Sequence, residues 1–542
     1  MAEAEGFEFD AIVVGAGFSG LYAIHKLRSG GLKVRAYEVA SDVGGVWYWN
    51  RYPGARVDVE SREYSYGFSE QLENEWRWSE QYASQPELLS YARHVADRFD
   101  LRRDIQFETR VTAAHFDEES GRWAVSTDRG DRVTARFMVM ASGNLSVPKD
   151  IDLPGVGNFK GELYRTAVWP QHEVTFTGKR VGVVGTGSSG IQVVPVIAQQ
   201  AKHLTVFQRT PAFSLPANNR PMTQDMVRDW LDHRVEYRRR QRQSAFGLVA
   251  TDLVYRKVNE VSKEECHRIF EERWGIGGFC IVGSFSDLLR DEAANNALAE
   301  FVRAKIRGIV KDPQLAEKLT PTDYPIFTKR PAVDSGFHQT FNRDNVTLVD
   351  LRCEPIETVT GKGIRAGGKD YELDMLVLAL GFDAMTGALT RIDIRGRGGR
   401  RLKDEWANGP GTYLGLGVCG FPNLFLVSGP GSPSVLGNTI AGIEHNVDWI
   451  ASCIAYMAQR QLRAVEPSRA AQESWMLEVR QAADSTLYPR TRSWYMGDNV
   501  AGKPRMFMVY IGGWKTYLDR CDDVAAKGYE GFVFTPRGVL TE

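Results

Sequence analysis

At 542 residues the chain exceeds one ordinary hydrophobic core, so two or three domains are expected. Its 67 Lys and Arg nearly balance 68 Asp and Glu, and a net charge of -1 gives no electrostatic footprint for nucleic acid or an anionic membrane as partner. No apolar run approaches membrane-spanning length, the acidic opening MAEAEGFEFD is no signal peptide, and the six scattered cysteines contain no CxxC, so a cytoplasmic protein without a disulfide framework or metal site is expected.

Residues 9 to 38 read as a complete βαβ unit. A buried strand, Ala11 to Val14, runs into the turn Gly15-Ala16-Gly17-Phe18-Ser19-Gly20, an amphipathic helix follows, and the next strand ends at Glu38. This is the order a dinucleotide fingerprint requires. The carboxylate of Glu38 suits a ribose diol and repels a 2′-phosphate, so the first site suits FAD or NAD. The stretch from Asp42 to Phe68 is crowded with Gly, Pro, Trp, Tyr and Arg and has neither helix nor strand period. Such loops wrap a flat ligand or fill a domain seam. Within it Arg56 and Asp58 are close enough for an ion pair. A helix is expected over 84–101, then three strands, FETRVTAAHF, RWAVST and RVTARFMVMASG.

A second fingerprint, Gly185-Thr186-Gly187-Ser188-Ser189-Gly190, follows the apolar run Val181 to Val184 and opens another helix. Its closing strand ends at Arg209 and Thr210, where the first unit has an acid. A cation and a hydroxyl hold a 2′-phosphate, so this site prefers NADPH. Two sites of opposite charge logic predict two cofactors, FAD reduced by NADPH. Residues 221–320 turn charged and helix-like, with the run Arg238-Arg239-Arg240 expected on a solvated face. Lys329 and Arg330 are adjacent cations in an extended segment. The strands of 346–351 and 364–383 are expected to close an interrupted sheet. Beyond Asp383 a buried strand precedes Gly429-Pro430-Gly431-Ser432-Pro433-Ser434, and a long helix to about Arg460 has an N-terminus suited to a flavin's pyrimidine edge. The tail SWYMGDNVAGKPR suits an active-site lid.

These residues together resemble the type I Baeyer–Villiger monooxygenases, most nearly the branch of the phenylacetone and steroid monooxygenases, over nearly the whole chain. Gly45, Trp47, Tyr52, Pro53, Gly54 and Asp58 match the family's loop pattern. Phe159, Gly161 and Trp169 match its fingerprint FxGxxxHxxxW. The resemblance implies an α/β fold with two Rossmann-like domains, for FAD and NADPH, and a helical insertion in the latter. The boundaries expected are 1–145 and 386–542 for FAD, 146–220 and 326–385 for NADPH, and 221–325 for the insertion. It further implies an oxidoreductase that inserts one oxygen of O2 beside a ketone carbonyl through an FAD C4a-peroxyflavin, giving an ester or lactone; a monomer is expected from the size of the chain.

By the same resemblance, Gly15, Gly17, Ser19, Gly20, Glu38, Gly45, Val46, Trp47, Arg56, Asp58, Val59, Tyr64, Val111 and Thr439 line the flavin site. Gly185 to Gly190, Gln192, Arg209, Thr210 and Lys329 hold NADPH, and Trp494 closes over it. Arg330 matches the catalytic arginine and also contacts cofactor, with Asp58 its partner. Asn144, Leu145, Ser434, Val435 and Leu436 surround the substrate. Two positions depart from the pattern: Arg165 stands for the fingerprint histidine, and Leu380 for the threonine of ATGFD. Arg165 is a permanent cation that accepts no hydrogen bond, which puts coupling of reduction to oxygenation in question. Leu380 is expected to alter packing near the flavin. The competing readings are N- or S-oxygenation, which the Asp58–Arg330 pair argues against, and an uncoupled NADPH oxidase. A disulfide reductase lacks its CxxC, and a non-enzymatic flavin-binding protein leaves Lys329 and Arg330 unexplained.

Overall fold

The computed structural model describes residues 8–251 and 253–536, so the acidic opening through residue 7 lies outside the described residues. Two separate sheets carry the two glycine turns. The first sheet runs, in spatial order, Asp393–Arg395, Val111–Asp117, Arg122–Thr127, Arg132–Met140, Phe9–Val14, Val34–Tyr37 and Ile105–Gln106, with Leu424–Leu426 also paired to Arg132–Met140. Its glycine-bearing part is parallel, while Val111–Asp117, Arg122–Thr127 and Arg132–Met140 form an antiparallel meander. The second sheet, Val346–Asp350, His203–Gln208, Arg180–Val184, Met375–Leu378 and Glu162–Arg165, is parallel throughout. Parallel strands covered on both faces read as continuous apolar runs, and Val181, Val183 and Val184 are buried accordingly.

Each glycine turn opens a helix, Phe18–Ser29 in one unit and Ser188–Gln200 in the other. The first packs against Thr439–Gln459, which covers the same core cluster. That long helix starts five residues after Ser434. A single 3-10 turn, Ser434–Leu436, intervenes, and the Asn438 side chain then accepts from the amides of Ile440 and Ala441. The other expected helices settle at Gln85–Arg98 and Glu292–Ile309. The aromatic loop contains one helical turn, Val46–Trp49. The insertion carries the helices Gln224–Gln243, Lys263–Ile276, Glu292–Ile309 and Pro313–Leu319, with Phe270 and Phe301 feeding the core of the second unit.

Two local expectations are corrected. Arg238 turns inward rather than to solvent. It is held by Glu73 at 2.7 Å and by the carbonyls of Ser65 and Tyr66, while Arg239 stays exposed with Glu236. Arg56 pairs with Glu80 at 2.8 Å, not with Asp58. Leu380 packs, partly buried, on the cluster of Val184, Phe207 and Leu376 in the second unit.

Two carboxyl groups, Glu63 buried and Glu444 half-buried, brace the aromatic stretch against its neighbours. Glu63 accepts from the Val249 amide at 2.6 Å, and Glu444 accepts from Gly67 and Phe68 at 2.8 and 2.9 Å. Burial, then the neighbouring Glu60, pushes Glu63 up to about 8, and burial pushes Glu444 up to about 7. Between the unfolded carboxyl pKa of about 4.3 and these values the folded chain holds protons that the unfolded chain releases. Stability therefore falls as pH rises through that window, by on the order of a few kcal/mol. The melting temperature is expected to drop from pH 5 to pH 8, and Glu63→Gln, whose amide oxygen can still accept from Val249, should flatten that slope. An unchanged slope in the variant counts against this account.

Candidate active site at the seam of the two units

The two turns are geometric duplicates. Gly15 and Gly185 have φ of +104° and +107°, a region that excludes most side chains. A Cβ on Gly20 would stand 1.9 Å from the Gly15 carbonyl oxygen, and one on Gly190 would stand 2.1 Å from that of Gly185. These glycines are demanded by the chain itself. Gly187 differs: a Cβ there would meet nothing within 4 Å, and the position is exposed. Helices of the insertion open on side-chain caps from Thr223, Ser262, Asp291 and Asp312. Those after the turns open on Gly17 and Gly187 without one, so first-turn amides remain for an anion. This cradle fits a dinucleotide pyrophosphate.

In the first unit Glu38 is buried at the end of its strand. Its two oxygens accept from Ala16 at 2.7 Å and Ala40 at 2.8 Å, which shapes the turn and leaves further lone pairs for a ribose. Gly45 abuts Gly17, and Trp47 donates to the Tyr64 hydroxyl at 3.2 Å. Val59 and Val111 are buried, and Thr439 sits on the first turn of its helix. In the second unit the Thr186 hydroxyl donates to the Thr210 carbonyl at 3.0 Å, tying the end of strand His203–Gln208 to the turn. Arg209 beyond it is exposed. Lys329 stacks over Tyr324 at 4.5 Å, and burial and then the Arg209 guanidinium lower its pKa.

The aromatic loop joins the units. Tyr52 donates to the Gln192 side chain at 2.8 Å, Gln192 donates to the Arg56 carbonyl at 3.0 Å, and the Trp169 amide donates to the Trp49 carbonyl at 3.1 Å. Gln192, expected at the cofactor, thus bridges the seam. Trp169 is buried against Tyr164 and Phe176, and Gly161 lies where a Cβ would sit 2.3 Å from the Asp374 carbonyl oxygen.

On this seam Arg330 meets Asp58 in a two-pronged pair, Nε to Oδ2 at 2.7 Å and Nη2 to Oδ1 at 3.0 Å. Nη1 donates to the Val435 carbonyl at 2.7 Å, the Tyr495 hydroxyl is near enough to act on the charge, and Phe279 lies under the guanidinium at 4.8 Å. Burial opposes the cation, but Asp58 and Tyr495 outweigh it and raise its pKa, so Arg330 is locked in the charged form. Around it Asn144 donates to Ser434 at 2.6 Å, and Leu145, Val435, Leu436 and Trp494 gather on one apolar cluster. Trp494 lies on Tyr495 with ring centres 4.1 Å apart. The tail beyond is tied down by Lys503 to Asp383 at 2.8 Å and by Asn499 to the Phe382 carbonyl.

Tyr495 and Phe279 were not among the expected residues. Tyr495 follows Trp494 in the lid segment, a signal within reach, whereas Phe279 sits in a 3-10 stretch of the insertion and had none. Among the described residues all six cysteines are free, no cluster of three or more His, Cys, Asp or Glu is placed to hold a metal, and no helix is long and apolar enough to cross a membrane.

Comparisons with known proteins follow the same lines. The profile of the flavin-binding monooxygenase-like family matches residues 10–265. A Baeyer–Villiger monooxygenase from Pseudooceanicola batsensis is 42% identical, over 97% of this chain and 96% of its own. A phenazine N-monooxygenase from Lysobacter antibioticus is 41% identical, over 98% of each chain. The solved structure of an oxidised steroid monooxygenase bound to NADP superposes with a TM-score of 0.94 at 51% identity, covering 98% of this chain and 100% of that one.

Proposed function

The chain belongs to the Baeyer–Villiger monooxygenases, flavoenzymes that use FAD and NADPH, and from that premise we propose that it inserts one oxygen atom of O2 beside the carbonyl of a small ketone, giving an ester or lactone. Bound FAD, reduced by NADPH, supplies the activation of O2. The chain's own part is charge and position. Five N–H donors are available on a guanidinium, and Asp58 and Val435 engage Arg330 without exhausting them. A remaining donor can face the negative charge that develops on the former carbonyl oxygen. A cation locked by a carboxylate offers that charge without losing a proton, and its partners hold it in place before reaction. Leu145, Val435 and Leu436 form an apolar wall against which the ketone is set, the hydrogen-bonded Asn144 and Ser434 stand beside it, and Trp494 excludes water from above.

The observation that carries this reading is the pairing of Arg330 with Asp58 at the seam of two dinucleotide-binding units. Residues 1–145 with 386–542 form the FAD part, and 146–220 with 326–385 the NADPH part, around the insertion 221–325. The pairing of Asp393–Arg395 and Leu424–Leu426 with strands of the first sheet supports that division. The enzyme works as a cytoplasmic monomer, where NADPH is supplied.

Transfer of oxygen to nitrogen is the second reading, favoured by the 41% identity to a phenazine N-monooxygenase. Incubation with NADPH and O2, product mass spectrometry and a peroxide assay separate the readings. Cyclic, linear and aryl ketones should give esters or lactones. N-oxides or S-oxides without any ester would replace the ketone reading, and peroxide alone would make the protein an uncoupled NADPH oxidase.

A further inference from the structure

Arg165 occupies the position at which the family resemblance expects a histidine, and its side chain has a specific partner: Nη2 donates to the backbone carbonyl of Lys149. Arg165 ends the edge strand Glu162–Arg165 of the second sheet, in register with Leu378 of the strand beside it. Lys149 lies on an extended segment laid over the carboxyl ends of the same strands. Its amide donates to Gly381 at 3.2 Å, Pro148 bridges Phe382, and the Asp383 amide donates to Val147 at 2.8 Å. The carboxyl ends of parallel strands are where open α/β sheets bind ligands. Gly185 packs its turn on Ala379 there, so Lys149 overlooks the second glycine turn.

We propose that Arg165, through the carbonyl of Lys149, positions the Lys149 ammonium as a third cation beside Arg209 and Lys329 for the 2′-phosphate of NADPH. This rests on the reading of Arg209 and Lys329 as the phosphate contacts. The charge pattern agrees. Burial and then the Arg209 guanidinium lower Lys149, as they lower Lys329, so one guanidinium is felt by both ammonium groups. None of the three forms an ion pair with a described residue. Asp152 acts on Lys149 and Asp323 on Lys329, yet burial and the like charge of Arg209 prevail at both, and a bound dianion relieves that repulsion. The arginine at the fingerprint position thereby acts as a positioning residue on the cofactor side.

The test is calorimetric titration of the oxidised, FAD-loaded enzyme with NADP+ and with NAD+, which differ only in the 2′-phosphate. Lys149→Gln is expected to weaken NADP+ about tenfold, the loss of one charge-assisted contact, and NAD+ less than twofold. Arg165→Ala should shift the ratio the same way through Lys149, and Arg165→Lys, which keeps a donor, should recover part of it. Flavin content and melting temperature serve as controls for folding. Equal weakening of both ligands, or of neither, in Lys149→Gln overturns the proposal. Arg209→Ala is run in parallel. If it also leaves the NADP+/NAD+ ratio unchanged, the phosphate reading itself fails and the proposal with it.

Discussion

Arg330→Ala is expected to lower ester or lactone formation by about a thousandfold or more while NADPH still reduces the flavin, so that NADPH consumption continues with peroxide as its product. Removal of one preorganised donor from a developing oxyanion costs about 10²–10³ in rate, and this change removes a full charge as well. Selectivity is the point of the prediction. Arg330 stands at the seam beside Val435, Tyr495 and Asp58, whereas the cations read as NADPH contacts, Arg209 and Lys329, pair with none of these. Arg330→Lys keeps the charge but cannot span both Asp58 oxygens and the Val435 carbonyl at once, so an intermediate loss is expected. Asp58→Asn keeps the shape and removes the anion that locks the guanidinium. The pair is about one quarter exposed on each side, so its contribution to stability is screened, and both variants should fold. Rapid-mixing measurement of flavin reduction, set beside product yield, checks this. A variant that keeps a tenth of its ester formation would remove Arg330 from the reaction.

What the sequence alone discloses follows from where identity is forced locally. Gly15, Gly20, Gly185 and Gly190 are required by backbone contacts within a few residues or on the adjoining strand, so they stand out as a spacing pattern. Glu38 and Arg209 sit at strand ends whose position the pattern fixes, and their opposite charges separate the two sites. The Arg330–Asp58 pair spans 272 residues of chain. No local period encodes such a contact, and only likeness to a family points to it. Phe279, which completes the guanidinium's surroundings from the insertion, was missed for the same reason, whereas Tyr495 stands next to Trp494 in a segment already singled out. Arg238 shows the converse error: a run of three arginines reads as solvated, yet one of them reaches Glu73 and two backbone carbonyls across the fold. Leu380, adjacent in sequence to a conspicuous motif, packs on a core cluster of the second unit. Side-chain direction at a strand end is set by tertiary packing, which the residue type does not announce.

Gly187→Ala and Gly190→Ala, three residues apart on one turn, are expected to fail in different ways. An added methyl at Gly190 meets the Gly185 carbonyl oxygen at 2.1 Å, a backbone atom that cannot swing aside. The helix Ser188–Gln200 would have to lift from strand Arg180–Val184, and overpacking of this kind costs about 1–3 kcal/mol or more. Gly190→Ala should therefore lower the melting temperature and the yield of folded protein, with or without cofactor. At Gly187 the backbone, with φ of -79°, is one alanine adopts freely, and the methyl meets no protein atom within 4 Å. In an exposed position, where the first amides of the helix point outward, that empty volume is the approach path of a pyrophosphate. Gly187→Ala should leave the melting temperature of the unliganded protein within about a degree, since surface substitutions of this type lie within about 0.5 kcal/mol. It should weaken NADP+ binding at least tenfold and raise the KM for NADPH, with flavin content intact. Equal NADP+ affinity in the variant would mean that this turn, for all its geometric identity with the first, does not receive the dinucleotide. Loss of stability alone would make Gly187 a structural glycine like Gly190.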